Sequence, residues 1–200
     1  MMSQPAPSPF VIALLLAAGS SRRFGSDKRQ ARLPCGRTVL QASLDTALTA
    51  FEEVRVVLRA TDGTEALGLP ATVQTVRSEQ AESGMGHSLA SGIRSLADTQ
   101  AQAVAILLAD MPWLRTETLL HLANRADPQR IVMPVFEGQQ GHPVIIGRAF
   151  WPLLEGLTGD QGARAVIKAH PEACIRITSD DPGTLLDADT PAALAQALAH

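Results

Sequence analysis

Apolar runs of strand length alternate with stretches of helical spacing along most of the chain. "FVIALLL", Phe10 to Leu16, is continuously apolar, the pattern of a strand buried on both faces. "VRVVLR" (Val54 to Arg59), "TVQTVR" (Thr72 to Arg77), "AVAILLAD" (Ala103 to Asp110), "RIVMPV", "HPVIIG" and "ACIRIT" supply further strands. Between them Val39, Leu40, Leu44, Ala47, Leu48 and Phe51 share one helix face, and Leu89, Ile93 and Leu96 mark a helix after Gly86. Thr116 to Ala126 and "GARAVIKAH" read as helices, and Thr190 with Pro191 opens a last one as N-cap and first helical residue. This alternation predicts an α/β fold, a mostly parallel sheet with helices on both faces. Ligands bind such sheets outside the carboxyl ends of the strands, so the loops after Leu16, Arg77 and Leu108 are expected to open on one edge.

Length and composition narrow this picture. With 200 residues, 46% of them hydrophobic, the chain can bury one full core. Residues 1–9 read as a disordered, proline-bearing lead and 10–200 as a single domain. The lead lacks a secretory n-region and cleavage site, and Phe10 to Ala18 is too short to cross a bilayer. Cys35 and Cys174 follow no metal-ligand spacing and form no disulfide framework, so a reducing cytoplasm and no membrane are expected. A net charge of −3 argues against nucleic acid as a partner. The charge is uneven, however: between Ser20 and Leu40 lie Arg22, Arg23, Lys28, Arg29, Arg32 and Arg37 against the single anion Asp27.

That basic stretch begins in "LLLAAGSSRRFGSDK", where a buried strand runs into a glycine loop. The dinucleotide fingerprint fails because Ser20, Ser21 and Arg22 follow Gly19, and the P-loop fails because five residues separate Gly19 from Gly25. The chemistry nonetheless suits phosphate. Gly19 and Gly25 permit close backbone approach, Ser20 and Ser21 add hydroxyl donors, and Arg22, Arg23 and Lys28 add charge. Taken alone the loop also fits a solvated surface turn. Asp110 in "ADMP" ends a buried strand as a metal-binding carboxylate does, with Mg²⁺ the fitting ion, or it caps the next turn. "SGMGHSLASG" is a second glycine-rich helix entry, able to hold an anion or a base edge or simply to turn, and His87 within it reads as a surface residue. "EGQQGHPVIIG" and "GDQGAR" put Gly141, His142, Gly159, Asp160, Gly162 and Arg164 in loops, and Asp187 and Asp189 precede the final helix as second metal ligand or helix cap. Hydrolase and metalloprotease motifs are missing, and neither cysteine has an evident histidine partner.

"LAAGSSRRFGSDK" followed by "LP", then "GMGHSL", "LADMP", "GHPVIIG", "GDQGAR" and "DADTP", in this order, resemble the MobA-like nucleotidyltransferases, and among them the cytidylyl-transferring branch that acts on the molybdenum cofactor. The resemblance runs from about Val11 to the last helix. It implies a Rossmann-like nucleotidyltransferase fold of the glycosyltransferase-A-like type, Mg²⁺ as cofactor, and transfer of CMP from CTP to the phosphate of a pterin acceptor with release of pyrophosphate. By position, Leu16, Ala17, Ala18, Gly19, Ser20, Arg23, Gly25, Lys28, Gly84 and Ser88 would touch the nucleotide. Gly141, His142, Pro143, Asp160, Gly162 and Arg164 would face the acceptor, and Asp110, with Asp187 or Asp189, the metal. Arg23, Lys28 and Asp110 would carry the chemistry. A phosphate monoester is already ionised at neutral pH, which matches the lack of an evident general base. "LAAG", where guanylyl-transferring relatives read LAGG, points to CTP rather than GTP. A monomer that hands its product to a molybdenum hydroxylase or its chaperone is expected. Guanylyl transfer, nucleotidyl transfer to another phosphorylated acceptor such as a sugar phosphate, and a non-enzymatic cofactor carrier are the alternatives.

Overall fold

The computed structural model describes residues 9–19 and 27–188. Its centre is β1 (Val11–Leu16), every residue of which is buried. It lies parallel to β2 (Val54–Arg59) on one side and to β4 (Ala103–Leu108) on the other, with Leu16 opposite both Val57 and Leu108. Beyond β2, β3 (Gln74–Ser78) adds a further parallel strand. The carboxyl ends of all four therefore share one edge, as the loop positions lead one to expect.

The other half of the sheet is antiparallel in part. β5 (Ile131–Phe136) turns back through Glu137 and Gly138 into β6 (Gln139–Gln140) and then β7 (Val144–Gly147). Both turn residues have positive φ, 49° and 77°, the requirement of a type I′ hairpin. So short a connection can only join antiparallel strands. β7 inserts between β4 and β5, antiparallel to each, while β8 (Cys174–Thr178) closes the far side parallel to β5. The sheet order is β3-β2-β1-β4-β7-β5, with β6 and β8 attached to β5, so the eight strands form a mixed sheet, not a wholly parallel one.

Strand alternation divides β1 between two cores. Val11, Ala13 and Leu15 point to a layer containing Leu40 and Leu44 of α1 (Val39–Ala50) and Leu119 and Leu122 of α3 (Thr116–Ala123). Ile12, Leu14 and Leu16 point to the opposite layer, against Leu89 and Ile93 of α2 (Met85–Arg94), Trp151 and Leu154 of α4 (Trp151–Glu155), and Val166 and Ile167 of α5 (Arg164–Ala169). α1 starts on a capping box: Thr38 Oγ1 accepts from the Gln41 amide at 3.2 Å and Gln41 Oε1 from the Thr38 amide at 3.0 Å. Among the described residues no helix is long and apolar enough to cross a membrane.

Candidate active site at the carboxyl edge of the sheet

Where β1 ends, its chain continues along the sheet for one more residue. The Ala17 amide donates to the Val57 carbonyl at 2.9 Å, and the Ala109 amide to the Leu16 carbonyl at 3.1 Å. Leu16, Ala17 and Ala18 are buried, and Gly19 emerges into solvent. Ser20, Arg23 and Gly25 lie outside the described residues, as do Asp189 and the expected last helix. The chain returns at Asp27, whose Oδ1 accepts from the Arg29 amide at 3.1 Å and so caps the single helical turn Lys28–Gln30.

This turn aims Lys28 across the edge. Its Nζ lies 2.7 Å from Asp110 Oδ2, joining two expected catalytic residues that stand 82 positions apart. The lysine side chain is 12% exposed and the carboxylate 30%, so the pair is partly shielded yet reachable. Asp110 follows β4 directly, and its carbonyl accepts from the Ala188 amide at 2.8 Å, which brings the backbone of Asp187 alongside. Asp110 is the carboxylate at this edge that could hold Mg²⁺, an ion held by one or two carboxylates together with substrate phosphates, and the chain of Asp187 passes close by.

The antiparallel course of β7 delivers the next group. Because Val144 pairs with Ile106 of β4, the residues preceding β7 lie at the edge where β4 ends, beside Asp110. Gly141 packs against Thr184 so closely that a Cβ would stand 2.6 Å from the Thr184 carbonyl oxygen, and the His142 amide donates to that oxygen at 2.8 Å. Pro143 follows through a cis peptide bond. The His142 imidazole is largely enclosed, and its Nδ1 has no hydrogen-bond partner among the described residues. Burial pushes its pKa below the ordinary value, against the attraction of Asp110 and with the help of the Arg164 charge. Burial thus disfavours the protonated imidazole, within the field of both groups.

The two remaining glycine motifs meet each other. The Gly86 amide donates to the Gly159 carbonyl at 2.7 Å, and a Cβ at Gly84, where φ is 126°, would lie 2.3 Å from that carbonyl. Gly84 thereby has a packing reason for being glycine. Ser88 is buried in the first turns of α2, Gly162 is buried against Met85, and Asp160 and Arg164 are exposed. Asp160 Oδ1 would stand 2.7 Å from a Cβ at Gly84. The segments of "GMGHSL" and "GDQGAR" thus form one continuous rim.

Several cations of the basic stretch have structural employment. Arg37 pairs with Asp45, and Arg32 donates to the Gly36 carbonyl at 2.8 Å. Arg29 is buried, held by Asp27 through Nε at 2.9 Å and Nη2 at 2.7 Å, and by Asp62 through Nη1 at 2.5 Å and Nη2 at 2.9 Å. Burial opposes its charge, but the two carboxylates outweigh this and raise its pKa. Bonding to Arg29 lowers the Asp27 pKa, and Asp62 is lowered despite its burial by Arg29 and the Arg59 amide. Asp62 and Arg59 belong to no recognisable motif. The one sequence signal for them is their position at and just past the end of β2, on the edge where the site had to form.

The MobA-like NTP transferase domain matches residues 13–174. The purine catabolism protein PucB of Bacillus subtilis is 34% identical over 194 residues, covering 92% of this chain and 94% of its own. The nicotine blue oxidoreductase of Paenarthrobacter nicotinovorans is 30% identical over 195 residues, covering 91% and 93%. Among solved structures, Rv0371c of Mycobacterium tuberculosis H37Rv superposes with a TM-score of 0.84 at 24% identity, over 98% of this chain and 100% of that one.

Proposed function

The chain belongs to the MobA-like NTP transferase domain family, and on that footing we propose that it transfers CMP from CTP to the phosphate of molybdopterin or of the molybdenum cofactor, releasing pyrophosphate. The observation that carries this reading is the Lys28–Asp110 pair, set between the loop leaving β1 and the rim that holds His142.

An oxygen of the acceptor phosphate attacks the α-phosphorus of CTP in line. A new phosphorus–oxygen bond forms, the bond to the β-phosphate oxygen breaks, and pyrophosphate takes the electron pair. The attacking monoester has its second pKa near about 6 and needs no base to ionise it, so His142 has no proton to remove. Its part is to line the acceptor side: Nδ1, enclosed and without a partner among the described residues, would take a hydrogen bond from a bound acceptor once the rim opens to it, with Arg164 supplying positive charge nearby. Lys28, with three donor hydrogens on one ammonium, holds Asp110 in place and reaches phosphate oxygens at the same edge. Mg²⁺ held by Asp110, with Asp187 beside it, would neutralise charge on the phosphates. Ala18 narrows the wall of the base subsite, which favours a pyrimidine over a bicyclic purine. The protein works as a cytoplasmic monomer and passes its product to a molybdenum hydroxylase or that enzyme's chaperone.

The test is pyrophosphate release from CTP or GTP with Mg²⁺ or Mn²⁺ and molybdopterin, with mass identification of the dinucleotide. Cytidylylated pterin and faster use of CTP are expected. Release with GTP alone moves the chain to guanylyl transfer, release with a sugar phosphate moves it to another acceptor, and cofactor binding without release makes it a carrier.

A further inference from the structure

Three consecutive carbonyl groups of the loop leaving β1 are held by arginines from two other segments. Arg29 Nη1 donates to the Ala17 carbonyl at 2.8 Å. Arg59, at the end of β2, donates through Nε to the Ala18 carbonyl at 3.3 Å and through Nη2 to the Gly19 carbonyl. One carboxylate couples the two arginines: Asp62 holds the Arg29 guanidinium and accepts the Arg59 amide at 3.0 Å. Arg77 closes the arrangement by donating to the Arg59 carbonyl at 3.1 Å and the Asp62 carbonyl at 2.6 Å.

The amide side of the same loop is different. The Ala17 N–H is spent on Val57, but among the described residues those of Ala18 and Gly19 meet no acceptor, and a Cβ at Gly19 would touch nothing within 4 Å. The loop therefore offers donors to a ligand while its acceptors lie under guanidinium charge.

We propose that Arg59 and Arg29 are positioning residues that set the base selectivity of this loop. Resting on the nucleotide-binding reading above, the inference adds what the loop can recognise. Cytosine presents O2 and N3 as acceptors, which amide donors satisfy. Its third edge group, the 4-amino group, is a donor, whereas the matching edge of guanine has one acceptor, O6, and two donors, N1–H and the 2-amino group, which need acceptors that the arginines have already engaged. A site whose polar groups are mismatched to a ligand rejects it more strongly than steric narrowing alone does.

The experiment measures Mg²⁺-dependent equilibrium binding of CTP, GTP and inorganic tripolyphosphate to the full chain and to Arg59→Ala and Arg59→Lys. Arg59 is half-buried at a strand end, whereas Arg29 lies within the packed core of the network, so Arg59 is the residue to vary. In Arg59→Ala, CTP binding should weaken about ten-fold, the CTP-to-GTP preference should fall by at least about five-fold, and tripolyphosphate should hold within about two-fold. Arg59→Lys, which keeps the charge and loses the planar fork, should restore only part of the preference and decides the matter alone if the alanine variant does not fold. Parallel weakening of all three ligands would make Arg59 a phosphate contact and overturn the proposal, as would an unchanged base preference. A wild-type preference for GTP that still shifts in the variants, with tripolyphosphate constant, would overturn the cytidylyl reading and retain the positioning role.

Discussion

Asp110 and Lys28 reach one another at 2.7 Å, so a change at either also alters the other's surroundings. Asp110→Asn keeps the shape and removes the charge. Turnover should fall by about 10²–10³ or more with the fold intact by circular dichroism, and near-normal turnover at saturating Mg²⁺ would exclude Asp110 as the metal carboxylate. Lys28→Ala should weaken CTP binding and slow the chemical step, since the leaving pyrophosphate loses a partner for its developing charge. Unchanged rate and affinity would mark the lysine as only a strut for Asp110. On the proposed function, Ala18→Gly would widen the wall of the base subsite, and a lost methyl contact is worth about 1–3 kcal/mol. Competition between CTP and GTP should become closer in that variant, and an unaltered ratio would place discrimination elsewhere in the loop.

Elements meet here through backbone as much as through side chains. The start of α2 rests on the loop before α5 because Gly84 and Gly86 have no Cβ. Gly84→Ala would put a carbon 2.3 Å from the Gly159 carbonyl, at a φ of 126° that L-residues avoid. It should cost about 1–3 kcal/mol in urea unfolding and separate the two halves of the rim, and wild-type stability together with wild-type activity would contradict this. The network of Arg29, Asp27 and Asp62 ties the loop leaving β1 to the end of β2. Both carboxyls sit below their ordinary value of 3.8, so the stability they provide is complete above that pH and is lost as pH falls through the lowered values. Asp62→Asn should destabilise the protein by about 1–3 kcal/mol at pH 7, with the difference shrinking as pH falls below 3.8 and through the lowered values. A difference that stays constant from pH 7 to acid would remove the ion pairing as its cause.

At the scale of the whole molecule, a nucleotide bound across the β1 loop, the β4 end and the rim should stabilise the entire domain. At a hundred-fold excess over its dissociation constant CTP with Mg²⁺ should add about 2.7 kcal/mol, seen as a rise in Tm that grows with ligand concentration, whereas no shift would mean that the folded chain does not bind CTP. The strands, the helical faces and the edge at which the site forms could be read from the chain because apolar spacing is a local property: β1 is buried throughout since it has no polar residue to turn toward water. Asp110 stood out for a similar reason, as a carboxylate at the end of an apolar run, and Lys28 as one of the cations crowded between Ser20 and Leu40. Spacing carries no information about partners far apart along the chain. β7 runs between β4 and β5 because a short hairpin forces its direction, and that direction alone brings His142 to the edge that holds Asp110. In the same way, a basic run in the sequence cannot tell a ligand-binding cation from a structural one. Arg29 became structural when folding placed Asp62 beside it, because a guanidinium removed from water must find carboxylates at bonding distance, and beyond the local Asp27 the second came from the end of a different strand.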